Sequence, residues 1–332
     1  MYIPNQNRYQ KMQYQRCGAS GLLLPKISFG LWHNFGNNCN YDNMKELIFT
    51  CFDHGITYFD LANNYGPEYG AAETNFGKIL KEGLMPYRDE LIISTKAGFD
   101  MWEGPYGNYG SRKYLMASID QSLKRLQLDY VDIFYHHRMD KNTPLIETMT
   151  ALADIVRMGK ALYIGLSNYD GETLKQATEI LTNLNVPFIV NQNCYNILNR
   201  QVEHNHLLKN SIDLKKGLVV YSPLEQGLLS DRYLNGIPLD SRIGSDGRYL
   251  KKSDLTPQVL EKLQKLNEIA QSRNEKLATM AIRWLLQQKG VTSVIIGASK
   301  KQQIIDNLAA LEGNPLTQKE LDAIEKIVQC SK

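Results

Sequence analysis

Short apolar runs alternate with amphipathic stretches along almost the whole of this 332-residue chain, and this alternation constrains its fold more than any other feature. The runs are apolar on both faces, so the strands that they predict need cover on both sides, as in an all-parallel sheet. Eight strand-then-helix units follow one another without a break. This pattern favours an α/β fold of the closed (β/α)8 TIM barrel type over an open doubly wound sheet. A Rossmann fold would require Gly-x-Gly-x-x-Gly after an early strand, and the sequence has none.

The boundaries of these units follow from the apolar periodicity and from the turn residues. The predicted strands span residues 27–31, 56–60, 91–96, 131–137, 161–167, 188–192, 218–222 and 293–296. The predicted helices span residues 43–54 (capped by Asp42), 71–81, 111–126, 144–158, 170–183, 201–211, 257–274, 278–288, 301–311 and 317–328. We interpret residues 1–332 as one barrel domain, with a polar segment over 1–12, a β-hairpin over 13–25 and a long loop over 223–254.

The composition excludes several classes of protein. The 38 basic and 35 acidic residues give a net charge of +3 that is spread along the chain, which argues against a nucleic-acid or membrane partner. The amino terminus lacks the apolar core of a signal peptide, and no transmembrane segment is evident. The five cysteines form no Cys-x-x-Cys pair, so we expect neither disulfides nor a zinc site, and we predict a cytoplasmic protein.

Four chemically active side chains stand at or just beyond the carboxyl ends of three consecutive predicted strands. Asp60, Lys96 and His137 each end a strand, and Tyr65 follows the first of them by five residues. A barrel brings such positions together at one mouth, where barrel enzymes place their chemistry. A free phenol has a pKa of about 10, and a nearby ammonium lowers that pKa, while a carboxylate keeps a partly buried lysine charged. His137 can hydrogen-bond a substrate oxygen or assist proton delivery. The set predicts a proton-donating site suited to carbonyl reduction.

Either of the adjacent histidines, His136 or His137, could be the one that hydrogen-bonds the substrate oxygen. Strand alternation places them on opposite faces, and parity alone does not say which face lines the barrel. Because neighbours on a strand point apart, the pair cannot share one metal ion, and we predict no metal site.

The sequence resembles the aldo-keto reductase superfamily in three motifs, which are 59–66 (Phe-Asp-Leu-Ala-Asn-Asn-Tyr-Gly), 94–96 (Ser-Thr-Lys) and 131–137 (Val-Asp-Ile-Phe-Tyr-His-His). Segments 30–36, 96–102 and 104–107 resemble bacterial L-glyceraldehyde 3-phosphate reductases, whose relatives are the potassium-channel β subunits. The resemblance implies a barrel that binds NADPH in extended form and can form homo-oligomers. It assigns catalysis to Asp60, Tyr65, Lys96 and His137, and it therefore selects His137 over His136.

The resemblance also implies the cofactor contacts. It places the nicotinamide against Trp32, Asp60, Ser167, Asn168, Gln192 and Tyr221, the pyrophosphate under Ser222, Pro223, Leu224, Gln226 and Gly227, and the adenosine against Gly297, Ser299, Gln303, Asp306 and Asn307. Independently, hydroxyl and amide groups at strand ends suit a carboxamide, and an aromatic side chain can stack on its ring. Lys300 and Lys301 add charge that favours NADPH over NADH. Arg232, Arg242 and Arg248 are alternatives for the pyrophosphate, and the sequence does not choose among them.

The predicted substrate is a small aldehyde such as glyceraldehyde 3-phosphate or methylglyoxal. The residues predicted to contact it are Trp32, Phe35, Tyr65, Trp102, Tyr106, Tyr109, His137 and, for a phosphate, Arg138. The alternative function is an NADPH-binding, channel-associated or redox-sensing subunit with slow turnover. The presence of His137, and the short segment before the hairpin, favour the enzyme.

Overall fold

The structure is a computed structural model that describes residues 2–239, 241–245 and 250–329. Its centre is a closed barrel of eight parallel strands, which confirms the predicted barrel fold. The hairpin that precedes the barrel pairs β1 (Tyr14–Arg16) with β2 (Leu23–Pro25) in antiparallel fashion. The barrel strands are β3 (Ile27–Gly30), β4 (Tyr58–Asp60), β5 (Ile92–Ala97), β6 (Val131–His136), β7 (Ala161–Ser167), β8 (Phe188–Cys194), β9 (Gly217–Tyr221) and β10 (Val291–Ile296), and β10 closes the barrel onto β3.

Helices surround the barrel and follow the strands along the chain. They are α1 (Tyr41–Asp53), α2 (Ala71–Ile79), α3 (Arg112–Leu126), α4 (Leu145–Arg157), α5 (Gly171–Asn183), α6 (Gln201–His204), α7 (Leu207–Asp213), α8 (Arg242–Ser245), α9 (Pro257–Ser272), α10 (Leu277–Gln287), α11 (Lys301–Leu308) and α12 (Gln318–Gln329). Their apolar faces pack on the outward side chains of the strands, as Phe76 of α2 does against Phe59 of β4. Full burial of each such side chain contributes about 1.5–3 kcal/mol.

Strand register sets which side chains meet inside the barrel. Asp60 of β4 is the register partner of Ser94 of β5, and Lys96 follows Ser94 by two residues on the same face. Ser167 of β7 is likewise the partner of Gln192 of β8. Because all eight strands are parallel, these carboxyl ends open at one mouth of the barrel.

Two predictions about the helices are wrong. The side chain of Asn40, and not that of Asp42, caps α1 by accepting a hydrogen bond of 2.8 Å from the backbone N–H of Asn43. The single helix predicted over 201–211 is divided into α6 and α7, because His206 between them has a left-handed φ of 61°.

Most other boundaries differ from the predicted ones by one or two residues, which is the usual uncertainty at frayed ends. The described part of the predicted loop over 223–254 contains α8 and three short 3-10 turns, which are Glu225–Gly227, Asp231–Tyr233 and Lys252–Asp254. Within the described ranges, no helix has the length and apolar character needed to cross a membrane.

Candidate active site

The ammonium group of Lys96 lies at the centre of the barrel mouth and is fully buried. It donates three hydrogen bonds, at 2.6 Å to Asp60 Oδ2, at 2.7 Å to the carbonyl oxygen of Leu61 and at 3.1 Å to Tyr65 Oη. An ammonium group has three hydrogens, and these three acceptors use all of them. Lys96 therefore has a fixed orientation, with one N–H directed at the phenol oxygen.

The Asp60 carboxylate is held on both of its oxygens. Oδ2 accepts from Lys96, while Oδ1 accepts from Ser94 Oγ and from Gln192 Nε2, each at 2.8 Å. Burial lowers the pKa of Lys96, and the charge of Asp60 opposes that effect. A buried ion pair is stable only when its remaining polar atoms are satisfied in this way.

Tyr65 is half-buried, and its hydroxyl end lies against the buried Lys96. Burial raises the pKa of Tyr65 well above its usual value of 10, and the charge of Asp60 adds to this rise. The expectation that Lys96 gives this phenol a lowered pKa is therefore not met by the protein alone, because burial and the nearby charge of Asp60 both raise it. Tyr65 thus keeps its proton at neutral pH.

His137 directly follows β6 and is the histidine that faces the mouth. Its ring contacts Tyr65 edge-to-face, with the centroids 5.9 Å apart, and it packs against Phe99 at 4.7 Å. Burial lowers the pKa of His137 well below its ordinary value, and the charge of Lys96 lowers it further. The imidazole is therefore neutral at neutral pH and can donate or accept a hydrogen bond without carrying charge.

His136 points to the other side of the strand, as alternation requires. Its Nδ1 atom lies 2.6 Å from the hydroxyl of Tyr169, and its ring lies under Gly110 in the packing between barrel and helices. Burial lowers the pKa of His136 to about 4. Among the described residues, no group of three or more His, Cys, Asp or Glu side chains could hold a metal ion.

The hydroxyl and amide side chains predicted to hold a carboxamide lie together at the ends of β7, β8 and β9. Asn168 donates from Nδ2 at 2.9 Å to the His137 carbonyl oxygen and at 3.2 Å to Ser167 Oγ. Its Oδ1 atom accepts at 2.8 Å from the hydroxyl of Tyr221. Since Gln192 also binds Asp60, this cluster is continuous with Lys96 and Tyr65. Strand ends thus bring these predicted residues together.

The backbone beside this cluster adopts a conformation that non-glycine residues rarely tolerate. The φ angles are 58° at Asn168, 53° at Ser222, 42° at Glu225 and 57° at Gln226. Each such residue costs of the order of 1–3 kcal/mol, and residues of this kind concentrate at functional sites. Three of the four lie in the loop after β9 that is predicted to cover a pyrophosphate. The remaining predicted residues of that loop are the buried Pro223 and the half-buried Leu224 and Gly227.

The structure does not choose among Arg232, Arg242 and Arg248 as the contact for a pyrophosphate. Arg232 lies in the 3-10 turn Asp231–Tyr233, and Arg242 begins α8. Arg248 lies outside the described residues.

The predicted adenosine contacts lie at the start of α11. Gln303 Oε1 accepts hydrogen bonds from Ser299 Oγ and from the backbone N–H groups of Ser299 and Lys300, at 2.8–3.2 Å. Open space surrounds the Cα of Gly297. Lys301 forms a 2.7 Å ion pair with Glu46, so part of the charge predicted for a 2′-phosphate is already neutralised. The other two predicted contacts are Asp306, which pairs with Lys276 at 2.6 Å, and the buried Asn307.

The predicted substrate residues occupy different environments. Trp32 lies near Tyr65, with ring centroids 6.4 Å apart, and lines a cavity of about 180 Å³ beside the mouth. Phe35 is fully buried and packs edge-on against Phe29, so the structure places it in the core and gives no support to its predicted substrate contact. The other predicted aromatic residues are the half-buried Trp102, whose ring packs 5.1 Å from that of Tyr114, and the exposed Tyr106 and Tyr109.

Arg138 is firmly positioned next to His137. Its guanidinium lies 4.3 Å from the ring centroid of Phe99 and 4.8 Å from that of Tyr109. It donates at 2.8 Å from Nε to the Gly98 carbonyl oxygen and from Nη2 to Asn108 Oδ1. In the part of the chain that the structure describes, no carboxylate forms an ion pair with it. Arg138 therefore presents a guanidinium near the mouth that has no ion-pair partner among the described residues.

The sequence reasoning assigned no role to Ser94, to the carbonyl of Leu61 or to Phe99. Ser94 precedes Lys96 by two residues, so strand alternation alone could have placed it beside Asp60. The contacts of Leu61 and Phe99 depend on the path of the backbone after the strands, and no sequence pattern indicates them.

Comparisons with known proteins identify the family of this chain. The model of the aldo/keto reductase family matches residues 26–329. The chain is 51% identical to L-glyceraldehyde 3-phosphate reductase of Escherichia coli (strain K12) over 329 residues, which cover 98% of this chain and 95% of that protein. It is 37% identical to a probable voltage-gated potassium channel subunit beta of Arabidopsis thaliana over 324 residues, which cover 96% of this chain and 97% of that protein. The chain, with its Asp60–Lys96–Tyr65 geometry, belongs to the aldo/keto reductase family and is an oxidoreductase.

Proposed function

We propose that this oxidoreductase reduces small aldehydes to alcohols with NADPH and that Tyr65 is the general acid. The observation that carries this proposal is the hydrogen bond of 3.1 Å from Lys96 Nζ to Tyr65 Oη. Because the phenol oxygen of Tyr65 accepts a hydrogen bond from Lys96, the hydroxyl hydrogen of Tyr65 is not used in that bond. It can be donated to a substrate oxygen.

The proton transfer can be followed on the residues of this chain. Burial keeps Tyr65 protonated at neutral pH, so the acid is in the form that reduction requires. Once the proton has passed to the substrate oxygen, the phenolate is left beside the ammonium of Lys96, which stabilises it. Neutral His137, against the Tyr65 ring, can hydrogen-bond the same substrate oxygen and orient it.

The residues at the strand ends suit NADPH, the cofactor type that the family generally uses. Ser167, Asn168 and Gln192 would hold the carboxamide, and Tyr221 would pack on the ring. The strained loop after β9 and the donors around Gln303 would hold the rest of the molecule. The bound cofactor would supply the hydride.

The chemistry of Arg138 supports a substrate with an anionic end. A guanidinium group held between two rings and two acceptors is preorganised for a phosphate. L-glyceraldehyde 3-phosphate combines an aldehyde with a phosphate and is the substrate named for the 51% identical relative. Methylglyoxal lacks the phosphate, so it is the poorer substrate on this proposal.

A channel-associated role is the second candidate. Its support is the 37% identity to a probable channel subunit. The complete set of Asp60, Tyr65, Lys96 and His137 at bonding or ring-contact distance favours turnover instead.

The test is a panel of aldehydes incubated with enzyme and NADPH, with loss of the near-ultraviolet absorbance of the reduced nicotinamide as the signal. We expect turnover, with the highest kcat/KM for L-glyceraldehyde 3-phosphate. Tight NADPH binding without turnover of any aldehyde would overturn the proposal and leave the channel-associated role.

A further inference from the structure

A row of buried hydroxyl groups leads from Asp60 down into the barrel, below the residues that face the mouth. Ser94 Oγ lies 2.8 Å from Asp60 Oδ1 and 3.2 Å from the hydroxyl of Tyr58, which lies 2.9 Å from the hydroxyl of Tyr135. All three of these residues are fully buried.

The direction of these hydrogen bonds follows from counting hydrogens. The Asp60 carboxylate only accepts, so the single hydrogen of Ser94 goes to it. Ser94 Oγ can then only accept from Tyr58, and Tyr58 can in turn only accept from Tyr135. Every hydroxyl in the row donates towards the carboxylate, and hydrogen bonds aligned in this way strengthen one another.

Packing holds this row in place. The ring of Tyr135 occupies the space above Gly165, where an added Cβ would lie 2.3 Å from ring atoms. Ser94 is the register partner of Asp60 on the neighbouring strand, so neither group can move without disturbing the barrel. Asp60 in turn sets the position of Lys96, whose third N–H is directed at Tyr65.

We propose that Ser94, supported by Tyr58 and Tyr135, is a positioning residue that fixes the Asp60 carboxylate so that Lys96 is aligned with the Tyr65 hydroxyl. The effect on turnover rests on the proposed aldehyde reduction, whereas the effect on Lys96 does not.

The first readout is the side-chain ammonium of Lys96 in the protein without ligands. With ¹⁵N-labelled lysine, its resonance can be assigned by its loss in Lys96→Met and then titrated with pH. We expect Ser94→Ala to lower the pKa of Lys96, because a looser carboxylate opposes the effect of burial less. Ser28→Ala is the matched control, since Ser28 is another buried strand serine, hydrogen-bonded to Ser293 and not to Asp60.

The second readout is steady-state kinetics. We expect Ser94→Ala to lower kcat and kcat/KM together by about tenfold. Such a parallel loss is typical when an alignment is needed only in the transition state. Ser94→Thr, which keeps the hydroxyl, should restore most of the rate, and Ser28→Ala should not change it. If Ser94→Ala does not fold, Tyr58→Phe removes the next hydroxyl at nearly constant volume and should shift the Lys96 titration in the same direction.

An unchanged Lys96 titration in both Ser94→Ala and Tyr58→Phe would overturn the inference. Equal effects of Ser94→Ala and Ser28→Ala would overturn it as well, because they would show a general packing defect. A shifted titration in a protein that reduces no aldehyde would uphold the positioning role while the proposed function fails.

Discussion

Lys96 Nζ lies 3.1 Å from Tyr65 Oη and 4.9 Å from the centre of the same ring, so this buried cation lies beside the hydroxyl end of the phenol. The contact assigns opposite tasks to burial and charge. On the proposed mechanism, burial keeps the proton on Tyr65 before the reaction, and the ammonium stabilises the phenolate after it. On this mechanism the ammonium stabilises the transition state, in which the proton leaves Tyr65, more than it stabilises the neutral phenol.

The Tyr65→Phe variant should lose turnover and keep cofactor binding. Removing a general acid costs roughly 10²–10⁴ in kcat. The ring remains, so NADPH affinity, measured by fluorescence titration, should stay within about twofold. Tyr9→Phe, at an exposed position with no predicted role in the site, is the control. Wild-type turnover in Tyr65→Phe would eliminate Tyr65 as the acid.

Replacing only Lys96 of the buried Asp60–Lys96 ion pair should lower the free energy of unfolding more than replacing both residues does. Lys96→Met leaves the Asp60 carboxylate buried without its cation, and we expect a loss of about 3–5 kcal/mol in the free energy of unfolding. The double variant Asp60→Asn with Lys96→Met should recover much of that loss and remain inactive. Urea denaturation measures both. Equal stability of the single and double variants would contradict the argument.

Because of His136 and His137, the free energy of unfolding should decrease when the pH is lowered. Burial lowers the pKa of His136 to about 4 and lowers that of His137 as well, so the unfolded chain binds protons that the native state does not. The free energy of unfolding should therefore decrease as pH falls from about 6.5, by up to about 1.4 kcal/mol per pH unit for each histidine.

The measurement is urea denaturation between pH 7 and 5. His136→Gln should give a shallower pH dependence, whereas His204→Gln, at an exposed position, should retain the wild-type slope. An identical slope in wild type and His136→Gln would refute the contribution of His136.

Much of the site could be predicted because it depends on a local rule. A strand alternates its faces, and a barrel gathers strand ends, so Asp60, Lys96 and the residue after β6 had to meet wherever the strands were placed correctly. The same rule explains why the unassigned Ser94 lies opposite Asp60.

Other features depend on contacts between distant parts of the chain. Lys301 could be recognised as a cation near an anion site, but its partner Glu46 is 255 positions away in α1. The left-handed φ angles of Ser222 and Gln226 occur at residue types that rarely adopt them, so the sequence does not mark these positions. The raised pKa of Tyr65 could not be predicted either, because it depends on how deeply the folded chain buries this hydroxyl beside Asp60.

Arg138 should discriminate between phosphorylated and unphosphorylated aldehydes. In Arg138→Gln the ring contacts of Phe99 and Tyr109 lose their cation, and a substrate phosphate loses a charge-assisted hydrogen bond. We expect KM for L-glyceraldehyde 3-phosphate to rise about tenfold, while kcat/KM for unphosphorylated glyceraldehyde stays within about twofold. Arg112→Gln is the control, because Arg112 pairs with Asp154 and is half exposed. A parallel loss on both substrates would mean that Arg138 supports the loop structure and not the phosphate.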